Sequence, residues 1–231
     1  MVSESSLTDK PPPVASFKRA SDKVRIRFRK CGDLRFVSHR DLMKCFERIL
    51  RRAQLPIYQT HGFHPLPRMV FALSLSLGII GLDEVLELEF SESIDPDDVR
   101  QRLAEQMPPG LEVLSVARIP INRSAQVRRA GYRVSVAPDQ LADLSPRIDA
   151  LLASPECWIE RTRPAPRRLN LRPFISELRV NEGRLEMLLW VTPNGAARPG
   201  EVLGLLGLAD LAQSGVPMER HILELHDELE G

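Results

Sequence analysis

Residues 23–56 read KVRIRFRKCGDLRFVSHRDLMKCFERILRRAQLP, and the fold turns on this stretch. Val24, Ile26 and Phe28 alternate with Arg25, Arg27 and Arg29, the period-2 pattern of a strand with one buried face. Gly32-Asp33 ends it. Ser38 or Asp41 then opens a helix in which Leu42, Phe46, Ile49, Leu50 and Ala53 recur at three- and four-residue spacing, so one face is buried. Arg40, Lys44, Arg48, Arg51 and Arg52 fall largely on the other side, and Pro56 stops the helix.

Working outward, a loop from Gln59 to Arg68 leads into a strand over Met69–Leu75. Gly78 and Gly81 punctuate, and Val85, Leu86, Leu88 and Phe90 predict a further strand with Glu87 and Glu89 facing out. Asp95-Pro96 starts a second helix, with proline in its first turn and acids near its positive end. Pro108-Pro109-Gly110 breaks it, and Leu111–Ala117 returns as a strand. The order βαββαβ is the ferredoxin-like order. The second half repeats it in degenerate form: strand Tyr132–Val136, helix Gln140–Ala153, strand Cys157–Arg161, a hairpin turning at Asn181-Glu182-Gly183, helix Pro199–Leu208 and strand His221–Leu225. The sequence thus predicts an α+β chain with antiparallel sheets. Two tandem ferredoxin-like domains, over 22–119 and 130–231, follow a leader over 1–21 that holds Pro11-Pro12-Pro13.

An apolar fraction of 43% and a charged fraction of 27% in 231 residues are those of a globular protein. The longest apolar-rich run, Met69–Leu82, is too short to span a bilayer, and Glu4 and Asp9 near the start predict no secretory signal. Three cysteines, Cys31, Cys45 and Cys157, form no C-x-x-C pair. They fit a reducing cytoplasm and exclude the three-cysteine cradle of an iron–sulfur cluster within one short motif. No Gly-rich phosphate loop is present. The reading is cytoplasmic, with no membrane contact, no cofactor and no metal site.

Charge is unevenly spread. Residues 1–70 carry fifteen bases against six acids, residues 81–115 ten acids against two arginines, and residues 116–180 twelve arginines against six acids. Such asymmetry fits a polyanion on one surface, or a charge-complementary contact between parts of the chain.

Functional groups crowd the junctions between Arg35 and Arg68: Ser38 and His39 at the helix start, then His61, Gly62, Phe63 and His64 in the loop. His39 and His64 are the candidate acid/base residues, set against a capping role for Ser38 and loop hydrogen bonding for the imidazoles. Arg35, Arg40, Lys44, Arg48, Arg51 and Arg52 are the candidate phosphate contacts, with a solvated helix face as the plainer reading. The run from Arg161 to Arg168 reads as an exposed loop, Trp158 and Trp190 as core, and Glu84, Glu87 and Glu89 as an exposed strand face.

The run KCGDLRFVSHRDL…FERILRRAQLP…HGFHPLPR resembles the uncharacterised radical-SAM-linked domain family, with weaker agreement at YRVSV, RLNLRPFI and LEMLLWV. That family is encoded beside, or fused to, a cobalamin-type radical SAM protein. The resemblance implies partnership with such an enzyme, and no catalytic residue can be carried over from it. Arg40 stands where the family usually has leucine, and Leu66 where histidine is common; the second departure weakens a histidine metal site. Taken together, the resemblance and the charge pattern lead to an accessory protein, itself no radical SAM enzyme, that binds or presents a tRNA-like RNA through the basic helix and the His/Arg loop. Ser38, His39, His61, Gly62, Phe63, His64 and Arg68 join the helix cations as candidate RNA-binding residues. The alternatives are an RNA-processing or RNA-modifying enzyme using His39 or His64, and a protein-interaction module.

Overall fold

The chain is described by a computed structural model over residues 20–60, 65–162, 165–212 and 214–228. Nearly all of the 1–21 leader, and the loop residues His61, Gly62, Phe63 and His64, lie outside the described residues. Among the described residues the strands run in chain order: β1 (Asp22–Lys30), β2 (Met69–Phe71), β3 (Ile80–Phe90), β4 (Leu111–Arg118), β5 (Val127–Ser135), β6 (Trp158–Arg161), β7 (Arg167–Asn170), β8 (Ile175–Asn181), β9 (Arg184–Thr192), β10 (Gly195–Ala196) and β11 (Glu219–Leu225). The helices are α1 (His39–Arg52), α2 (Pro96–Gln106), α3 (Pro138–Leu141), α4 (Leu144–Ala153) and α5 (Pro199–Leu205). The fold is α+β, and among the described residues all but one of the strand pairings are antiparallel.

Alternation in β1 sends Val24, Ile26 and Phe28 into one apolar cluster with Leu42, Phe46 and Ile49 of α1, Val99 and Leu103 of α2, and Leu86, Leu88 and Phe90 of β3. Its neighbours are β3 on one side and β4 on the other, while β2 pairs with the far end of β3. The first-half strand order is therefore β4-β1-β3-β2. In the second half β5 lies between β9 and β11, and β8 pairs with β9, giving β11-β5-β9-β8. Its core holds Tyr132 and Val134 of β5, Leu144 and Ile148 of α4, Met187 and Leu189 of β9, and Val202 and Leu203 of α5. Between α4 and β8 the chain inserts β6 and β7, a separate two-stranded ribbon.

The halves share one sheet. Glu219 and Arg220 of β11 pair in parallel with Ile80 and Gly81 of β3, the end of that strand which β2 leaves open. The strands of both halves thus form a continuous nine-stranded sheet.

Several expectations are corrected here. Glu87 is 1% exposed and Glu84 is also buried, so β3 presents no exposed acidic face. Arg25 and Arg27 do not line an open surface either. The C-terminal turn His226–Glu228 covers them, while the segment after β4 closes over Lys23 and Glu87. Lys23 and Arg25 both engage Glu87, at 2.8 and 2.9 Å, and Arg25 also reaches Asp227 at 2.8 Å. The amide of Ala125 donates to Glu87 Oε1 at 2.8 Å. A charge buried this deeply is tolerated only when paired, and its charged partners lie more than sixty residues away in the sequence. Trp158, read as core, is 43% exposed with Arg168 over its ring. Arg167 and Arg168 stand in β7, not in a loop.

Candidate nucleic-acid surface

Helix α1 begins because Ser38 caps it. Its Oγ accepts from the Asp41 amide at 3.2 Å and donates to Asp41 Oδ2 at 2.7 Å. Satisfying an otherwise orphan donor in this way fixes the helix start. Ser38 is therefore a capping residue. His39 beside it packs its ring edge-on against Phe71 at 5.1 Å, in a cluster with Phe28 and Phe46. Beneath this turn Lys30, almost fully buried, donates to the Val37 carbonyl at 2.8 Å.

The apolar stripe of α1 faces β1 and β3, which leaves Arg40, Lys44, Arg48, Arg51 and Arg52 exposed. Arg40, Lys44, Arg48 and Arg52 are spaced by four residues. At 1.5 Å per residue they form a gently winding ridge with about 6 Å between successive positions along the axis. Among the described residues Arg40, Arg48, Arg51 and Arg52 make no ion pair, and Lys44 has only the exposed Asp41 at 3.7 Å. Glu47, positioned to neutralise the ridge locally, pairs with none of them among the described residues. The Ser38 hydroxyl holds the Asp41 carboxyl below the usual aspartate range. It stays ionised and marks the N-terminal end of the ridge as its least positive part.

A cleft of about 290 Å³ runs beside the ridge, between α1 and the end of α2. Asp41, Lys44, Arg48 and Arg52 line one wall, Gln106 and Pro108 the other, and Cys45 and Ile49 the floor. Burial pushes the Cys45 thiol up, which keeps it uncharged at neutral pH. On the opposite flank of α1, Glu47 and Arg51 face the neck of the 61–64 loop across a second cavity of about 290 Å³. That neck is closed by the Thr60 amide donating to the Leu66 carbonyl at 2.9 Å, and by the Leu66 amide donating to the Thr60 hydroxyl at 3.1 Å.

The sequence-predicted residues are thus only partly brought together. The α1 cations form one surface, with Ser38 and His39 at its start. Arg35 is separate, stacked on Phe36 at 4.5 Å. Arg68 reaches Glu89 at 3.6 Å, which by alternation along β3 lies on the face opposite α1. His61, Gly62, Phe63 and His64 are outside the described residues. Among the described residues no cluster of three His, Cys, Asp or Glu side chains is placed to hold a metal, and no helix is long and apolar enough to cross a membrane. Gln106, Pro108 and Cys45 escaped the sequence reading. A helix-terminal glutamine gains meaning only once α2 is packed against α1.

The profile of the family described as "Uncharacterized protein conserved in bacteria (DUF2344)" matches residues 23–199, well over half of the chain. The chain belongs to that family. The matched span takes in β1, α1 and the neck of the loop, and continues to the start of α5. No curated protein matches the chain. Among solved structures, one titled "Crystal Structure of an Unknown Protein from Galdieria sulphuraria" aligns over 88% of this chain and 98% of its own, at 13% identity and a TM-score of 0.27.

Proposed function

We propose that this member of the family is a non-catalytic accessory protein that binds and presents a tRNA-like RNA through the exposed ridge of α1, working beside a radical SAM enzyme. One observation carries the RNA part: of the many cations in the first seventy residues, Lys23, Arg25 and Arg27 of β1 are engaged with acids inside or at the edge of the fold, whereas Arg40, Arg48, Arg51 and Arg52 of α1 make no ion pair among the described residues and Lys44 has only the exposed Asp41. Cations on a rigid helix that are not neutralised by their own chain suit a ligand that brings a row of negative charges. The radical SAM partner rests on the resemblance of the Lys30–Arg68 motifs.

The accompanying architectural reading is two ferredoxin-like units fused edge to edge. It is supported by the matching strand orders β4-β1-β3-β2 and β11-β5-β9-β8. An enzymatic use of Ser38 and His39 has less support, because the serine hydroxyl is tied to Asp41 and the imidazole packs on Phe71.

Filter binding of purified protein to bulk tRNA at two salt concentrations tests the reading. Binding is expected at low salt, weakens steeply with added salt, and disappears in the Lys44→Glu/Arg48→Glu/Arg52→Glu triple variant. Glutamate is a good helix former and the sites are exposed, so an unchanged melting temperature should show that the variant folds. Absence of binding at low salt sinks the proposal and turns attention to co-purification with the radical SAM protein.

A further inference from the structure

The ridge and its cleft say more about the ligand than that it is a polyanion. We infer that the α1–α2 cleft seats the backbone of an unpaired RNA strand, with phosphates held by Arg48 and Arg52 and completed by the Gln106 amide. This rests on the reading of α1 as the RNA-binding surface, and deepens it by naming the kind of RNA engaged.

Three features support it. The first is geometric. An exposed helix meets a duplex by entering a groove, and the major groove of A-form RNA is too deep and narrow for that. A single strand can instead lie along the helix. Four cations about 6 Å apart cover about 18 Å of axis, room for three or four successive phosphates. The second is the electrostatic gradient along the cleft. Asp41 stays ionised at the N-terminal end and draws on Lys44, whereas Arg48 and Arg52 lack carboxylate partners among the described residues. The anion seat therefore lies toward the C-terminal half of α1, where Gln106 faces it from α2.

The third feature is the lining. Cys45, Ile49 and Pro108 give an apolar floor and wall beside the cations. Burial keeps the Cys45 thiol neutral, so it does not repel an anion. A cationic wall above an apolar floor suits a ribose–phosphate chain, in which a charged group recurs between less polar ones.

Cys45 supplies its own reporter. The test treats the full-length protein with iodoacetamide at about pH 8.5, since buried thiols need alkaline conditions to react, and quantifies each cysteine by mass spectrometry. Saturating unpaired oligoadenylate of about twelve nucleotides is expected to slow Cys45 alkylation about ten-fold or more and to leave Cys31, outside the cleft, unchanged. The same oligomer annealed to its complement should bind about ten-fold more weakly at equal salt. Gln106→Glu, which places a carboxylate opposite Arg48 and Arg52, should reduce affinity for the unpaired strand about ten-fold, whereas Arg100→Glu on the exposed side of α2 should not.

Oligomer binding without Cys45 protection, or equal affinity for strand and duplex, overturns the inference and leaves the RNA-binding reading standing. Absence of any RNA binding by filter assay removes both.

Discussion

At the scale of single residues, the charges that hold the fold together are not those proposed to meet the RNA. Glu87 is nearly inaccessible and meets Lys23, Arg25 and the Ala125 amide at once. Glu87→Ala leaves two buried cations short of their partner and is expected to cost about 3–5 kcal/mol, measured by urea denaturation. Arg220 is buried against Glu84 and also donates to the carbonyls of Leu73 and Ser74 at 3.0 and 3.1 Å. Its replacement by leucine strands Glu84 and should be comparably severe. Ser38→Ala should cost only about 1 kcal/mol, the usual worth of an N-cap, and should leave RNA affinity unchanged. A serine acting as nucleophile or ligand would give the opposite pattern.

The C-terminal turn adds a pH signature. Hydrogen bonding from Arg25 holds the Asp227 carboxyl below its ordinary value, reinforced by the charges of Arg25 and Arg123. A carboxyl depressed in the folded state contributes stability that is fully present above its unfolded pKa of about 3.9. That stability is lost as pH falls through the folded value. Asp227→Asn should therefore be less stable than wild type at neutral pH, with the two curves converging below about pH 4 in a denaturation series.

At the scale of elements, β1, α1 and α2 were legible because each is a local pattern: alternation, a three-and-four apolar stripe, and Asp95-Pro96 at a helix start. What stayed hidden was non-local. Whether the alternating arginines of β1 form an open basic face depends on distant chain, which returns at Asp227 to cover Arg25 and after β4 to close over Lys23 and Glu87. The same return buries Glu87, which alternation alone marks as outward. The helix expected over Gln140–Ala153 starts two residues earlier and is split into α3 and α4 at Ala142-Asp143. Of the candidate site, the α1 cations could be read from helical spacing. Gln106 and Cys45 could not, since their role depends on how α2 packs. Gly110 was legible as a breaker, and the structure adds a second constraint. Its φ is +92°, and a Cβ there would lie 2.7 Å from the Cys31 carbonyl.

At the scale of the whole molecule, the two apolar clusters are joined by one sheet and by ion pairs that cross between the halves, Arg25–Asp227 and Glu84–Arg220. The expected consequence is one cooperative unfolding transition. Both tryptophans, Trp158 and Trp190, lie in the second half, so their fluorescence reports that half while hydrogen exchange of β1 reports the other. Coincident midpoints are predicted; a second-half transition well ahead of loss of β1 protection would show that the halves unfold independently.

This shared frame holds α1 rigid with its cations outward, the arrangement proposed to meet a phosphate backbone. The most direct measurement is the dependence of tRNA affinity on salt for wild type and for Arg48→Ala. Four contacts on an unpaired strand give a slope of log affinity against log salt of about −3, so affinity falls roughly fifty-fold between 50 and 200 mM. Arg48→Ala should flatten that slope by about 0.7. A slope near zero, or one that Arg48→Ala leaves untouched, would contradict the account.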